Sequence, residues 1–214
     1  MGGKMTIKLS PSTLNLMEDC PRCFWLKVNK RISRPPGIMS SIPIAMDSII
    51  KHYFDTFRDT DILPTILDNK INAKLAKDMP KTLSYVDEET QLTVWGRPDD
   101  YLELPDGCIV VLDHKTKSKP AESTHPAYQL QLDVYSYLLC KYSYQTTDKA
   151  YLIYYYPEKS VLHNGMIIKT SIVEVTTSIS RVKHLLQKAK SIIEEKIPEA
   201  STSCAYCKWL KELQ

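Results

Sequence analysis

Two Cys-x-x-Cys pairs, Cys20-Pro21-Arg22-Cys23 and Cys204-Ala205-Tyr206-Cys207, stand near opposite ends of a 214-residue chain. Each pair is spaced to present two thiolates to one ion, and together they complete a tetrahedral set of sulfur ligands. Such a set forms only if residues about 180 positions apart meet in space. The ends must therefore come together, and the loop they close takes in nearly everything between them. No basic-then-apolar signal sequence opens the chain, so its six cysteines are read for a reducing compartment, where metal binding is favoured over disulfides; the expected location is the cytoplasm. Cys108 and Cys140 sit within apolar segments and read as buried fillers. The opening Met1-Gly2-Gly3 fits a myristoylation pattern only formally, by a match short enough to arise by chance.

What lies between the pairs has the composition of a globular protein, 43% hydrophobic and 25% charged, and its length suits one domain over residues 1–214. No apolar run approaches the roughly 18 residues of a membrane span. A net charge of +3 permits a polyanionic partner without announcing one.

Ser10-Pro11 reads as the cap and first turn of a short helix leading to Cys20. Residues 31–43, with Pro35-Pro36-Gly37, are expected to be an exposed loop rather than regular helix. From Ile44 to about Arg58, Met46, Ile49, Ile50, Tyr53, Phe54 and Phe57 recur with helical period and predict one buried face. Residues 61–81 look weakly helical. Short β-prone segments follow at Leu83–Tyr85 and Gln91–Trp95, then Asp100–Leu104 and Cys108–Asp113 joined by the Pro105-Asp106-Gly107 turn. A helix from His125-Pro126 to about Tyr142, strands at Ala150–Tyr156 and Met166–Val175, and a helix over Ser178–Lys196 complete the order. Helices, a three-stranded meander, a helix, two strands and a helix make an α/β chain with a mixed sheet.

The chemistry concentrates in Val110-Val111-Leu112-Asp113-His114-Lys115. Alternation along a strand projects Asp113 and Lys115 together and turns His114 away. The apolar run before them predicts a central strand, where a carboxylate and an ammonium need each other or a ligand to offset desolvation. Gly96-Arg97-Pro98-Asp99 brings a second carboxylate to the adjoining strand. Asp99, Asp113 and the His114 carbonyl would be hard oxygen ligands for Mg²⁺ or Mn²⁺.

The ordered set Gly96-x-x-Asp99, Asp113-x-Lys115 and Gln131-Leu132-Asp133-Val134-Tyr135 resembles the RecB-like branch of the PD-(D/E)XK nuclease superfamily, and within it is similar to CRISPR-associated RecB-like exonucleases with a four-cysteine cluster. The resemblance implies a restriction-endonuclease-like mixed β-sheet core flanked by helices. It also implies Mg²⁺- or Mn²⁺-dependent hydrolysis of DNA phosphodiesters, exonucleolytic on single-stranded ends or flaps, in DNA repair or antiviral defence. The roles it carries over are metal ligation for Asp99 and Asp113, charge stabilisation for Lys115, and positioning of lysine and DNA for Gln131 and Tyr135. Those last two lie at i and i+4 and share a helix face.

The chain departs from the branch in its early helix, where a metal-binding His is usual: Lys51 holds that register and His52 lies about 100° further round. Either His52 serves after a shift or Lys51 takes the place. Some families of the branch carry an iron–sulfur cluster on cysteines flanking the core, split one before and three after. Here Cys20, Cys23, Cys204 and Cys207 split two and two, drawn from residues 1–30 and 200–214, so a [4Fe–4S] cluster and Zn²⁺ both stand. Arg22, Lys27, Lys30, Arg31 and Arg34, with Phe24 and Trp25 interleaved, read either as a backbone-binding surface or as a solvated loop over a core aromatic pair. Two rival functions are a nucleic-acid-binding protein that keeps the fold without catalysis, and a redox protein; no flavin or nicotinamide glycine loop supports the latter.

Overall fold

Val110-Val111-Leu112 carries no polar alternation, and in the computed structural model, which describes residues 6–37, 40–67 and 70–212, it lies in the central strand of a five-stranded sheet. Met1 to Met5 of the myristoylation-like opening fall outside the described residues. In chain order the elements are β1 (Lys8–Leu9), α1 (Pro11–Asp19), α2 (Pro21–Lys30), α3 (Ser41–Asp55), β2 (Lys74–Leu75), β3 (Leu83–Val86), β4 (Thr93–Gly96), β5 (Asp100–Glu103) and β6 (Ile109–Thr116). After them come α4 (Pro126–Lys141), β7 (Lys149–Pro157), β8 (Ile168–Thr176), α5 (Ile179–Glu194) and α6 (Ala205–Glu212).

Two mixed sheets are flanked by the six helices. The larger has the order β2-β5-β6-β7-β8 and the smaller β1-β4-β3. β6 pairs antiparallel with β5 and parallel with β7, and a parallel neighbour needs a long crossover, which α4 supplies. Both faces of β6 are covered. Val111 packs with α1, α4 and α5 in one apolar cluster, while Val110 and Leu112 pack with Ile50 and Phe54 of α3 in another. The tyrosine-rich β7 is a sheet interior, with Tyr151, Tyr154 and Tyr155 all buried.

The expected meander does not form as one sheet. β3 and β4 make a hairpin in the smaller sheet, and β5 and β6 make one in the larger. The chain changes sheets at Arg97-Pro98-Asp99, where Pro98 has no N–H to give to a ladder and the Arg97 carbonyl is taken by Tyr135. Residues 61–67 and 70–81 are turns, irregular chain and the two-residue β2 rather than helix. α3 begins at Ser41, inside the segment expected to be loop; Pro43 is tolerated because first-turn N–H groups have no intrahelical partner. Ile49, expected on its buried face, is exposed, and so is Cys140 in the last turn of α4. Cys108 is buried as expected.

Ser10 caps α1, its Oγ accepting from Thr13 N at 3.2 Å; losing that cap costs about 1 kcal/mol. Arg22, Lys27 and Lys30 of the basic stretch lie in helix α2 rather than in a loop, and Arg31 and Arg34 follow it. Phe24 is fully buried, and the Trp25 indole donates to the Glu195 carbonyl at 3.0 Å, so both aromatics serve packing. Among the described residues, no helix is long and apolar enough to cross a membrane.

Candidate active site and cysteine centre

Asp100 pairs with Leu112 across the β5–β6 ladder, so antiparallel register sets Asp99 against Asp113 at the strand ends. Asp99 is anchored by the His114 backbone N–H, which donates to its Oδ2 at 3.1 Å. Asp113 is 1% exposed and forms an ion pair through Oδ2 with Lys115 Nζ. Its Oδ1 accepts from Gln131 Nε2 at 3.3 Å; the same nitrogen lies 2.9 Å from the Tyr135 hydroxyl, which donates to the Arg97 carbonyl at 3.1 Å. Gly96 makes this corner possible, since a Cβ there would meet Tyr135 Cδ1 at 2.8 Å. Asp99, Asp113, Lys115, Gln131 and Tyr135 are thus brought to one place by the end of the β5–β6 pair and one turn of α4.

Burial pushes the Asp113 carboxyl up to about 6, against the opposing pull of Lys115, and the Asp99 charge pushes the same way as burial. Among the described residues, the Lys115 ammonium is the one group that meets buried Oδ2. A buried carboxylate that is repelled by a second carboxylate favours a cation. Oxygen donors from Asp99, Asp113 and the His114 carbonyl are the set a hard divalent ion takes.

Sequence reasoning missed what holds this edge from behind. Asp100, also 1% exposed, turns to the opposite face. There it pairs with Arg58 and lies 3.0 Å from His114 Nε2, while His114 Nδ1 lies 3.1 Å from the Tyr155 hydroxyl. The imidazole also packs against the Phe54 ring at a centroid distance of 4.5 Å. The Asp99-Asp100 doublet was the available signal, since alternation sends two adjacent acids to opposite faces of a buried strand.

On α3, Lys51 hydrogen-bonds Asp47 at 2.7 Å. That bond raises its pKa, as do the more distant charges of Asp99 and Asp100. His52 is exposed. Lys51 thus lies within electrostatic reach of Asp99 and Asp100.

At the other end of the molecule the four cysteines do meet. Their sulfurs all lie within 4.8 Å of one another, with Cys20–Cys207 at 3.9 Å, Cys23–Cys204 at 3.7 Å and Cys23–Cys207 at 3.6 Å. Cys20 and Cys23 open α2, and Cys204 and Cys207 flank the start of α6. Burial raises the thiols of Cys23 and Cys207, whereas at Cys20 it is outweighed by hydrogen bonds from the Cys23 and Ser201 backbone and the neighbouring thiols, giving about 6. Such a set could bind a metal. Arg34, from the basic stretch, turns inward to it: Nη2 lies 3.4 Å from Cys204 Sγ, and the guanidinium lies over the Tyr206 ring.

The sequence profile of the PD-(D/E)XK nuclease superfamily matches residues 44–211. A comparison with curated proteins yields no match. Among solved structures, the chain is similar to the crystal structure of SSO0001, with a TM-score of 0.50 and 14% identity over 90% of this chain and 79% of that one. At that identity the likeness speaks to the fold alone.

Proposed function

This chain belongs to the PD-(D/E)XK nuclease superfamily, and we propose that it is a RecB-like deoxyribonuclease that hydrolyses DNA phosphodiesters with Mg²⁺ or Mn²⁺. We take residues 1–214 as one nuclease domain, with 1–30 and 200–214 supplying the cysteine subsite. The observation that carries the reading is Asp113, buried in ion-pair contact with Lys115 and set against Asp99 across the strands.

Asp99, Asp113 and the His114 carbonyl would hold the ion. When bound, it supplies positive charge for the phosphate oxygens and lowers the pKa of coordinated water. Lys115 would set its ammonium beside the scissile phosphate, where charge grows in the transition state. Gln131 fixes the Asp113 carboxylate, and Tyr135 fixes Gln131, so neither group must reorganise during reaction. The fully engaged His114 ring, held between Asp100 and Tyr155, keeps the His114 backbone and hence Asp99 in register. Single-stranded ends or flaps are the proposed substrates, in repair or defence.

The cysteines are proposed to hold a metal centre that ties the chain ends. The family resemblance favours a [4Fe–4S] cluster. Zinc is favoured by spacing: bonds of about 2.3 Å to one tetrahedral ion put sulfurs about 3.8 Å apart, close to the 3.6–3.9 Å from Cys20 to Cys207 and from Cys23 to Cys204 and Cys207. Visible charge-transfer absorption with an iron assay separates the two.

Labelled single- and double-stranded DNA incubated with Mg²⁺ or Mn²⁺, with Asp113→Ala alongside, tests the enzyme. Cleavage by the parent and none by the variant is expected. Equal products from both would end the reading, and DNA binding without cleavage by the parent would favour the non-catalytic alternative.

A further inference from the structure

One wall of the Gln131–Tyr135 corner opens into a cavity of about 430 Å³ whose lining includes Asn15, Trp95, Arg97, Tyr128, Gln131 and Tyr135. Its lining contacts the carboxylate–lysine centre at two points. Gln131 both lines the cavity and donates to Asp113, and the Lys115 ammonium lies 5.1 Å from the centroid of the Tyr128 ring. Whatever fills the cavity therefore meets Tyr128 and Gln131, which in turn contact Lys115 and Asp113.

The lining has a particular chemistry. No acidic residue contributes to it, and Arg97 adds a cation. Tyr128 and Trp95 are half-buried aromatics. The half-buried Asn15 amide makes no hydrogen bond among the described residues, which leaves two donors and an acceptor open at the cavity. The volume lies within the range of about 300–1,000 Å³ that small ligands occupy. An aromatic wall, an open amide and a neighbouring cation suit a planar heteroaromatic ring attached to a phosphodiester. A base inside a duplex has both faces stacked and its edge paired, so it cannot reach such a seat, whereas a base in a single strand can.

We propose that this cavity seats one unstacked nucleobase of a single-stranded DNA, next to the phosphate held at Asp99, Asp113 and Lys115. The proposal rests on the nuclease reading for the placement of that phosphate. Tyr128 stacks on the base and Asn15 meets its edge, so the seat selects single strands over duplex without reading much sequence.

The test is a binding measurement in an Asp113→Asn background, where no strand is cut. Fluorescence anisotropy compares a labelled single-stranded oligonucleotide with the blunt duplex of the same sequence. Adding Tyr128→Ala is expected to weaken single-strand binding about tenfold and to leave duplex binding within about twofold, while Tyr128→Phe keeps the single-strand affinity. An abasic site walked along the oligonucleotide should cost about as much at one position, and nothing further when Tyr128→Ala is present. Equal losses on single strand and duplex, or no position sensitive to base removal, would overturn the proposal. Should Tyr128→Ala fail to melt cooperatively, Asn15→Ala and the abasic series carry the same decision. Because binding is read without cleavage, a parent protein that seats the base but cuts nothing defeats only the nuclease reading. One that cuts but shows no sensitive position defeats only the seat.

Discussion

The carboxylate–lysine centre and the four-cysteine centre are both buried clusters of ionisable groups, yet they stand in opposite relations to the fold. The first is set within two adjacent strands, and holding it costs stability: Asp113 is desolvated and repelled by Asp99, and Lys115 only partly offsets this. The second draws its ligands from residues 20–23 and 204–207, where a bound ion would cross-link segments far apart in the chain. A functional site can afford strain that the rest of the fold absorbs, whereas a cross-link between chain ends has to contribute. The contrast predicts that disabling one centre strengthens the protein and disabling the other weakens it.

The largest expected effect is at the cysteines. Cys23→Ser removes one ligand and with it the closure of a loop of 181 residues, worth about 5 kcal/mol of chain entropy in the unfolded state. Urea denaturation should show the loss, together with release of the bound metal. Unchanged stability on metal release would break the comparison on this side.

Asp113→Asn should do the reverse. In the metal-free protein the Asp113 carboxyl stands near 6 against an ordinary 3.8. Between those values the folded chain keeps a proton that the unfolded chain has released, so stability falls as pH rises through that window and the full cost persists above it. At pH 7 the cost is about 3 kcal/mol. The asparagine variant should therefore melt higher than the parent at pH 7 without divalent ions, lose the stability slope between pH 4 and 6, and gain nothing from Mn²⁺. Its cleavage should fall by more than about a hundredfold. A variant that melts lower at pH 7 would show that the carboxylate stabilises the metal-free fold.

A smaller effect is expected at Gly96, where Ala would drive a methyl into the Tyr135 ring. Overpacking of this kind costs about 1–3 kcal/mol, and the displaced hydroxyl would release both the Arg97 carbonyl and Gln131. Melting and cleavage should fall together, while the cysteine centre keeps its metal.

The two centres were also legible to different degrees. Asp113, Lys115, Gln131 and Tyr135 could be placed because strand alternation and the i, i+4 relation are local. The Cys-x-x-Cys pairs could be matched because each pair is incomplete alone. The reverse-face group escaped because Arg58, Asp100, His114 and Tyr155 come from four separate segments and no spacing links them. The division into two sheets escaped for a related reason: Pro98 marks the break, but only the pairing of β1 with β4 shows that the strand before it belongs elsewhere. Helix α2 was lost behind its Cys20-Pro21 start, although proline at the first helical position is a favoured opening.

The smallest expected effect concerns Lys51 and His52, and it sharpens how far the acid centre extends. The exposed Lys51–Asp47 pair at i, i+4 contributes no more than about 0.5 kcal/mol, so Lys51→Ala should barely move the melting temperature. Its charge, however, interacts with Asp99 and Asp100, and removing it takes one cation from the neighbourhood in which a divalent ion would bind. Lys51→Ala should therefore tighten Mn²⁺ binding modestly, and Lys51→His more so if the ring adds a ligand. His52→Ala, altering an exposed side chain, should leave Mn²⁺ affinity and cleavage within about twofold, a change of some 0.4 kcal/mol. A large loss from His52→Ala alone would move the metal site round α3 by one residue and make that helix part of the acid centre rather than its neighbour.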